Sequence, residues 1–170
     1  MLKSTTLFAS VLLTLASCGG SEEPAPTTFT DAISAMDTAA SAMNEKDYGT
    51  AVSGYKYALD NTSDAGAQFK IAQELFKAHV KNNDSAAATA LLDTMKANMA
   101  ASLNDASLSL LTDWCILQKE ANMAQAVFDV ALETLGDEMG AYDPEKVGKA
   151  IAAVRSGDAA SLADLGYAGD

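Results

Sequence analysis

Histidine occurs once in this chain, at His79, and proline only three times in 170 residues. A single imidazole excludes metal sites built from several histidines, and any hydrolytic triad would have to use that one residue. The sequence also lacks a Gly-x-Ser-x-Gly elbow, a phosphate-binding loop and a dinucleotide fingerprint. No catalytic residue and no cofactor is therefore expected, and the chain reads as a non-enzyme. Positive charge is scarce: 11 Lys and Arg stand against 23 Asp and Glu, for a net charge of −12. Such a chain is a poor partner for nucleic acid or anionic lipid headgroups, which carry the same sign. The charge reads first as a solubility feature, with a basic partner as the other option. A membrane-spanning run of about 20 apolar residues is absent too.

The longest apolar stretch, Leu7 to Ala16, is ten residues and follows the single cation Lys3. It has the layout of an export signal rather than a span. It ends in Leu15-Ala16-Ser17-Cys18. That ending resembles the lipobox of bacterial lipoproteins. The resemblance implies a signal peptide over residues 1–17, cleavage between Ser17 and Cys18, and a lipid anchor of palmitate-type chains on Cys18. Cys115 would then be the one thiol left, so no intrachain disulfide could form. Two acyl chains give stable anchoring where one is marginal. Gly19 stands where Asp would retain such a lipoprotein in the inner membrane, so the resemblance implies the outer membrane, on its periplasmic or surface face. Ser21-Glu22-Glu23 looks like an acidic surface-export signal, although an ordinary solvated tether accounts for it. Residues 18–28 hold two Pro and two Gly and read as a flexible tether.

From Phe29 onward the apolar period is helical. Alanine, the best helix former, occurs 34 times. Phe29, Ile33, Met36, Ala40 and Met43 predict one buried stripe on a first helix. Further stripes follow: Tyr48 to Leu59, Phe69 to Val80, Ala88 to Met99, Leu108 to Cys115, and Ala124 to Leu135. Ser63 or Asp64, and Asn83 or Asp84, are the expected caps of the third and fourth. Gly136 stops the sixth helix. Asp143-Pro144 opens a seventh that Gly157 closes, and a short last helix covers about Ala159 to Leu165.

A half-motif recurs at about 37 residues. Asp47-Tyr48-x-x-Ala51-x-x-x-Tyr55-x-x-Ala58-Leu59 is echoed by Glu120, Ala124, Phe128, Ala131 and Leu132, and loosely by Asp84, Ala88, Leu92 and Met95. The pattern resembles the tetratricopeptide repeat, a helix-turn-helix unit of 34 residues. The first helices depart from it: Ala35, Thr38 and Ala39 stand where Trp, Leu and Gly would be, and Ser63 replaces the closing Pro. The resemblance covers roughly residues 29–135. It implies an all-α fold of antiparallel hairpins in a short right-handed array, with residues 136–170 as two C-terminal helices packed on it. An ordinary antiparallel bundle is the other architecture these helices permit.

The candidate contact residues are few. Tyr57 lies opposite the core position Tyr55 and is available to a partner. Trp114 is the one large aromatic and His79 the one imidazole. Core packing is the simpler account of Trp114, and a core or groove-edge position that of His79. Cys115 reads as a buried thiol, and the methionines as core filler rather than copper ligands. Asp137, Glu138, Asp143 and Glu145 lack the spacing of a calcium loop. The expected function is a lipid-anchored helical module that binds another protein at the envelope. The alternative is a small-ligand or metal-binding lipoprotein whose pocket uses Trp114, His79 or the methionines.

Overall fold

The computed structural model describes residues 28–136, 140 and 142–167. The expected signal peptide, Ser17, Cys18 and all of the tether but Thr28 lie outside the described residues, as do Asp137 and Glu138. The fold is all-α. The helices are α1 (Ala32–Glu45), α2 (Tyr48–Asp60), α3 (Ala65–Lys81), α4 (Ser85–Asn98), α5 (Asp105–Leu117), α6 (Ala121–Leu135), α7 (Pro144–Ser156) and α8 (Ala159–Asp164). A single 3-10 turn, Ala100–Ser102, follows α4, and no strand occurs among the described residues. No helix there is long and apolar enough to cross a membrane.

The acidic composition has a local use. Asp31, Asp47, Asp64, Asp84, Asp143 and Asp158 each cap a helix, accepting a backbone N–H with the side chain. Asn104 does the same for α5. A carboxylate there satisfies a free donor and faces the positive end of the helix dipole. The backbone N–H groups lower the Asp31 carboxyl below its usual range, while Asp47 and Asp158 are lowered first by Thr50 and Ser161.

The same turn joins the two helices of each of four pairs, and Gly166, with Tyr167 donating to Leu162, repeats it after α8. Lys46, Asn83, Lys119 and Gly157 are left-handed, with φ of 64°, 58°, 63° and 70°. The next residue then donates its N–H five residues back: Asp47 to Ala42, Asp84 to His79, Glu120 to Cys115 and Asp158 to Ala153, at 2.8–2.9 Å. This closes the first helix of each pair and aims the second antiparallel to it. The spacings are 37, 36 and 38 residues. The helices α7 and α8, which read from the sequence as separate C-terminal elements, are thus joined by the same turn as the three pairs before them. Successive pairs pack in order along the chain, as a hairpin stack.

The first pair corrects one expectation. Ile33 is 73% exposed and Met36 is exposed as well, so the predicted stripe through them is not the buried one. The buried face of α1 is Ala35, Ala39 and Ala42. The reason is the close approach of α2. A Cβ on Gly54 would lie 2.7 Å from the Ala35 carbonyl oxygen and 2.9 Å from Ala39 Cβ. At that separation only Gly and Ala fit between the helices. Phe29 precedes α1 instead of belonging to it and packs its ring 5.3 Å from that of Tyr57.

α3 carries two apolar faces. Ile71, Leu75 and Ala78 pack against α1 and α2. Phe69, Ala72, Phe76 and Val80 enter the larger core with Leu92, Met95, Leu108, Leu111, Cys115 and Val127. The fourth pair closes that core through Val147, Ala150 and Ile151. Tyr142, just before α7, is the largest fully buried side chain. Its ring stacks on Phe128, and its hydroxyl shares a 2.7 Å hydrogen bond with the buried Thr112. Burial pushes the Tyr142 phenol up to about 12.

Two substitutions test this packing. Gly54→Ala is expected to destabilise by about 1–3 kcal/mol through overpacking, whereas Gly148→Ala, which meets nothing within 4 Å in α7, is expected to stabilise by up to ~1 kcal/mol. Urea unfolding of both variants reads the difference in sign. Thr112→Val should cost about 1–3 kcal/mol by stranding the Tyr142 hydroxyl, and Tyr142→Phe on top of it should recover part of that loss. A double-mutant cycle measures the recovery.

Candidate functional site

Among the described residues five large apolar side chains are exposed: Ile33, Met36, Leu110, Leu117 and Leu132. Four of them sit on α1 and α5, the first helices of their pairs. Position along the repeat places Ile33, Leu110 and Leu117 on the outward side, away from the buried faces Ala35/Ala39/Ala42 and Leu108/Thr112/Cys115, with Met36 at the margin of the first. Single exposed apolar residues are ordinary, but Leu110 and Leu117 border one and the same groove.

On α5 that side opens into a groove. Gln73 and Lys77 of α3 form one wall, and Leu110, Leu111, Asp113, Trp114 and Leu117 of α5 form the floor and the other wall, around about 310 Å³. Leu110 and Leu117 are 69% and 48% exposed, two turns apart, with half-buried Trp114 between them. The Lys81 ammonium lies 6.0 Å above the Trp114 ring and donates to Gln118 Oε1. Lys77 pairs with Glu74 at 2.7 Å. Asp113 accepts the Tyr167 hydroxyl on Oδ1 at 2.6 Å, which ties the C-terminal segment to the edge of the groove. Burial, helped by that carboxylate, raises the Tyr167 pKa.

Of the three contact residues expected from the sequence, Trp114 alone lines this groove. Tyr57 is half-buried on α2 against Phe29, where its ring belongs to the first core. His79 sits two residues from Lys77, about 200° around α3, and so faces away from the groove. Its carbonyl closes the second hairpin turn, where the other three turns have Ala42, Cys115 and Ala153. The imidazole Nδ1 is buried without a hydrogen bond, 3.8 Å from Asp84 Oδ2. Cys115 is fully buried, and desolvation pushes its thiol up to about 12, which makes it inert as a nucleophile. Met95 is fully buried in the core while Met36 is exposed on α1, so the methionines do not converge on one site. Among the described residues no group of three or more His, Cys, Asp and Glu is placed to hold a metal ion.

The residues the sequence reading missed are Gln73, Lys77, Leu110 and Leu117. A signal for the last two was present. α5 carries Leu108, Leu110, Leu111, Trp114, Cys115, Ile116 and Leu117, more apolar side chains than one face of a helix can bury. Compared with protein families, characterised proteins and solved structures, the chain matches none.

His79 gives a pH dependence of defined sign. Burial lowers its pKa below 6.5, partly opposed by Asp84 and reinforced by Lys56. The folded state therefore binds the proton less readily than the unfolded chain. Stability is complete above pH 6.5 and falls as pH drops from there toward the lower folded value. His79→Ala, which places the residue found in two of the three equivalent turns, is expected to flatten this part of the profile. Thermal unfolding between neutral pH and the carboxylate range measures it.

Proposed function

We propose that this protein is a lipid-anchored envelope module that binds a segment of another protein on the side formed by its first helices. Leu110 and Leu117 carry the reading: two exposed leucines flank a half-buried tryptophan in a groove between two helices. Aromatic and aliphatic anchors in a partly desolvated groove are where binding energy concentrates. The repeated turn supports it further, since stacks of hairpins present extended surfaces that take helical or extended segments. The hairpins are read as tetratricopeptide-like on the same basis. The anchor is read from the Leu-Ala-Ser-Cys ending at Cys18, with Gly19 favouring the outer membrane.

Two measurements test the two halves of this reading. Cys18→Ser should move the protein from the membrane fraction to the soluble fraction. Crosslinking in the native cell, followed by pull-down and mass spectrometry, should recover a specific envelope partner from the parent protein and lose it with Leu110→Ser/Leu117→Ser. A partner retained at full yield by that folded double variant would overturn the groove as the binding site.

A further inference from the structure

We infer that the groove selects segments that are apolar and acidic at once. This rests on the binding reading above and adds the chemistry of the occupant. Ile71, Leu75 and Ala78 take one side of α3, and Phe69, Ala72, Phe76 and Val80 another. At about 100° per residue, a strip roughly a third of the circumference is left for solvent. It carries Lys70, Gln73, Glu74, Lys77 and Lys81: three of the chain's 11 cations with one acid. In a protein of net charge −12 this is a local reversal of sign.

The strip borders the apolar floor, so the two cannot be covered separately. An occupant that buries Leu110, Trp114 and Leu117 also takes water from Lys77 and Lys81. Lys77 keeps Glu74 as a partner. Lys81 has Gln118 Oε1 and the Trp114 ring, both neutral. Removing an ammonium from water without an anion is strongly unfavourable, and a cationic occupant adds repulsion. A carboxylate on the occupant offsets much of that penalty. Asp113, the carboxylate among the lining residues, keeps its charge but is held by the Tyr167 hydroxyl on Oδ1, so the cationic side of the groove is the α3 strip. Acids on the far faces of the stack act weakly here, because charges beyond about 8 Å are largely screened at physiological ionic strength. The chain as a whole repels acidic partners, and this face accepts them only where apolar anchors bring them close.

Trp114 is the only tryptophan, so its emission reports the groove directly. The intact processed protein, held in phosphatidylcholine nanodiscs if it carries lipid, is titrated with two helical peptides of about 15 residues. Both carry leucines two turns apart; one has Glu and the other Lys at the flanking polar positions. The Glu peptide should shift Trp114 emission saturably and bind at least ~10-fold tighter than the Lys peptide. Lys81→Gln should remove most of that preference, Lys81→Glu should reverse it, and Leu110→Ser should weaken both peptides alike. Circular dichroism confirms that each variant is folded. Equal affinities, tighter binding of the Lys peptide, or no binding of either overturns the inference. If the peptides bind equally while the Leu110→Ser/Leu117→Ser protein loses its cellular partner, acid selectivity falls and the binding reading stands. A shift with free phosphatidylcholine vesicles and with neither peptide makes the face a membrane contact and overturns both.

Discussion

The two-faced burial of α3 is the constraint on which the rest of this molecule depends. Ile71, Leu75 and Ala78 join it to the first pair, and Phe69, Ala72, Phe76 and Val80 join it to the second core. A helix buried on one face could end a domain. A helix buried on two becomes a shared wall, and the two cores are held to each other through it. Because so little of α3 remains exposed, its lysines Lys70, Lys77 and Lys81 share one strip, while His79 is held between the two apolar faces. That strip is where Lys77 and Lys81 meet Trp114 of α5. The groove is therefore a consequence of how the stack is joined.

The ends of the stack obey a different rule from its middle. α1 meets α2 through alanines and Gly54 at a separation that excludes larger side chains. Small residues contribute little apolar area each, so close backbone approach and dispersion contacts must compensate. The opposite end relies on large groups: Tyr142 stacks on Phe128 and shares its hydroxyl with Thr112. A buried hydroxyl pair fixes geometry more strictly than apolar contact, because either partner left alone is penalised. α8 has no buried residue and is held by Leu162, Leu165 and the Tyr167–Asp113 bond. Few buried contacts make it the element with the least local stability.

Charge and structure are linked through the helix ends. Six aspartates cap helices, so a good part of the acidic composition serves local folding. Cations are sparse by comparison, and α3 concentrates three of them beside exposed leucines. A surface that is apolar and basic in an acidic protein differs from its surroundings in two properties together. That contrast, rather than any catalytic group, is what distinguishes this face.

Helix content was legible from alanine, from the 3.6 period and from the Asp-capped starts, because these are properties of neighbouring residues. The all-α class, the start at Asp143-Pro144 and the stop at Gly157 were readable for that reason, and the cap of α3 was narrowed to Ser63 or Asp64, of which it is Asp64. The recurring turn was half legible. Asp47, Asp84 and Glu120 showed its spacing, while the left-handed backbone at Lys46, Asn83 and Lys119 carried no glycine to announce it. What only the tertiary structure decided is which of several apolar stripes each helix buries. Ile33 and Met36 form as regular a stripe as Ala35, Ala39 and Ala42, yet the distance set by Gly54 selects the alanines. Leu110 and Leu117 look like core residues until Leu108, Leu111 and Cys115 have filled the space available. Hydrophobicity marks which residues can be buried. The shape and spacing of the neighbouring helices decide which of them are.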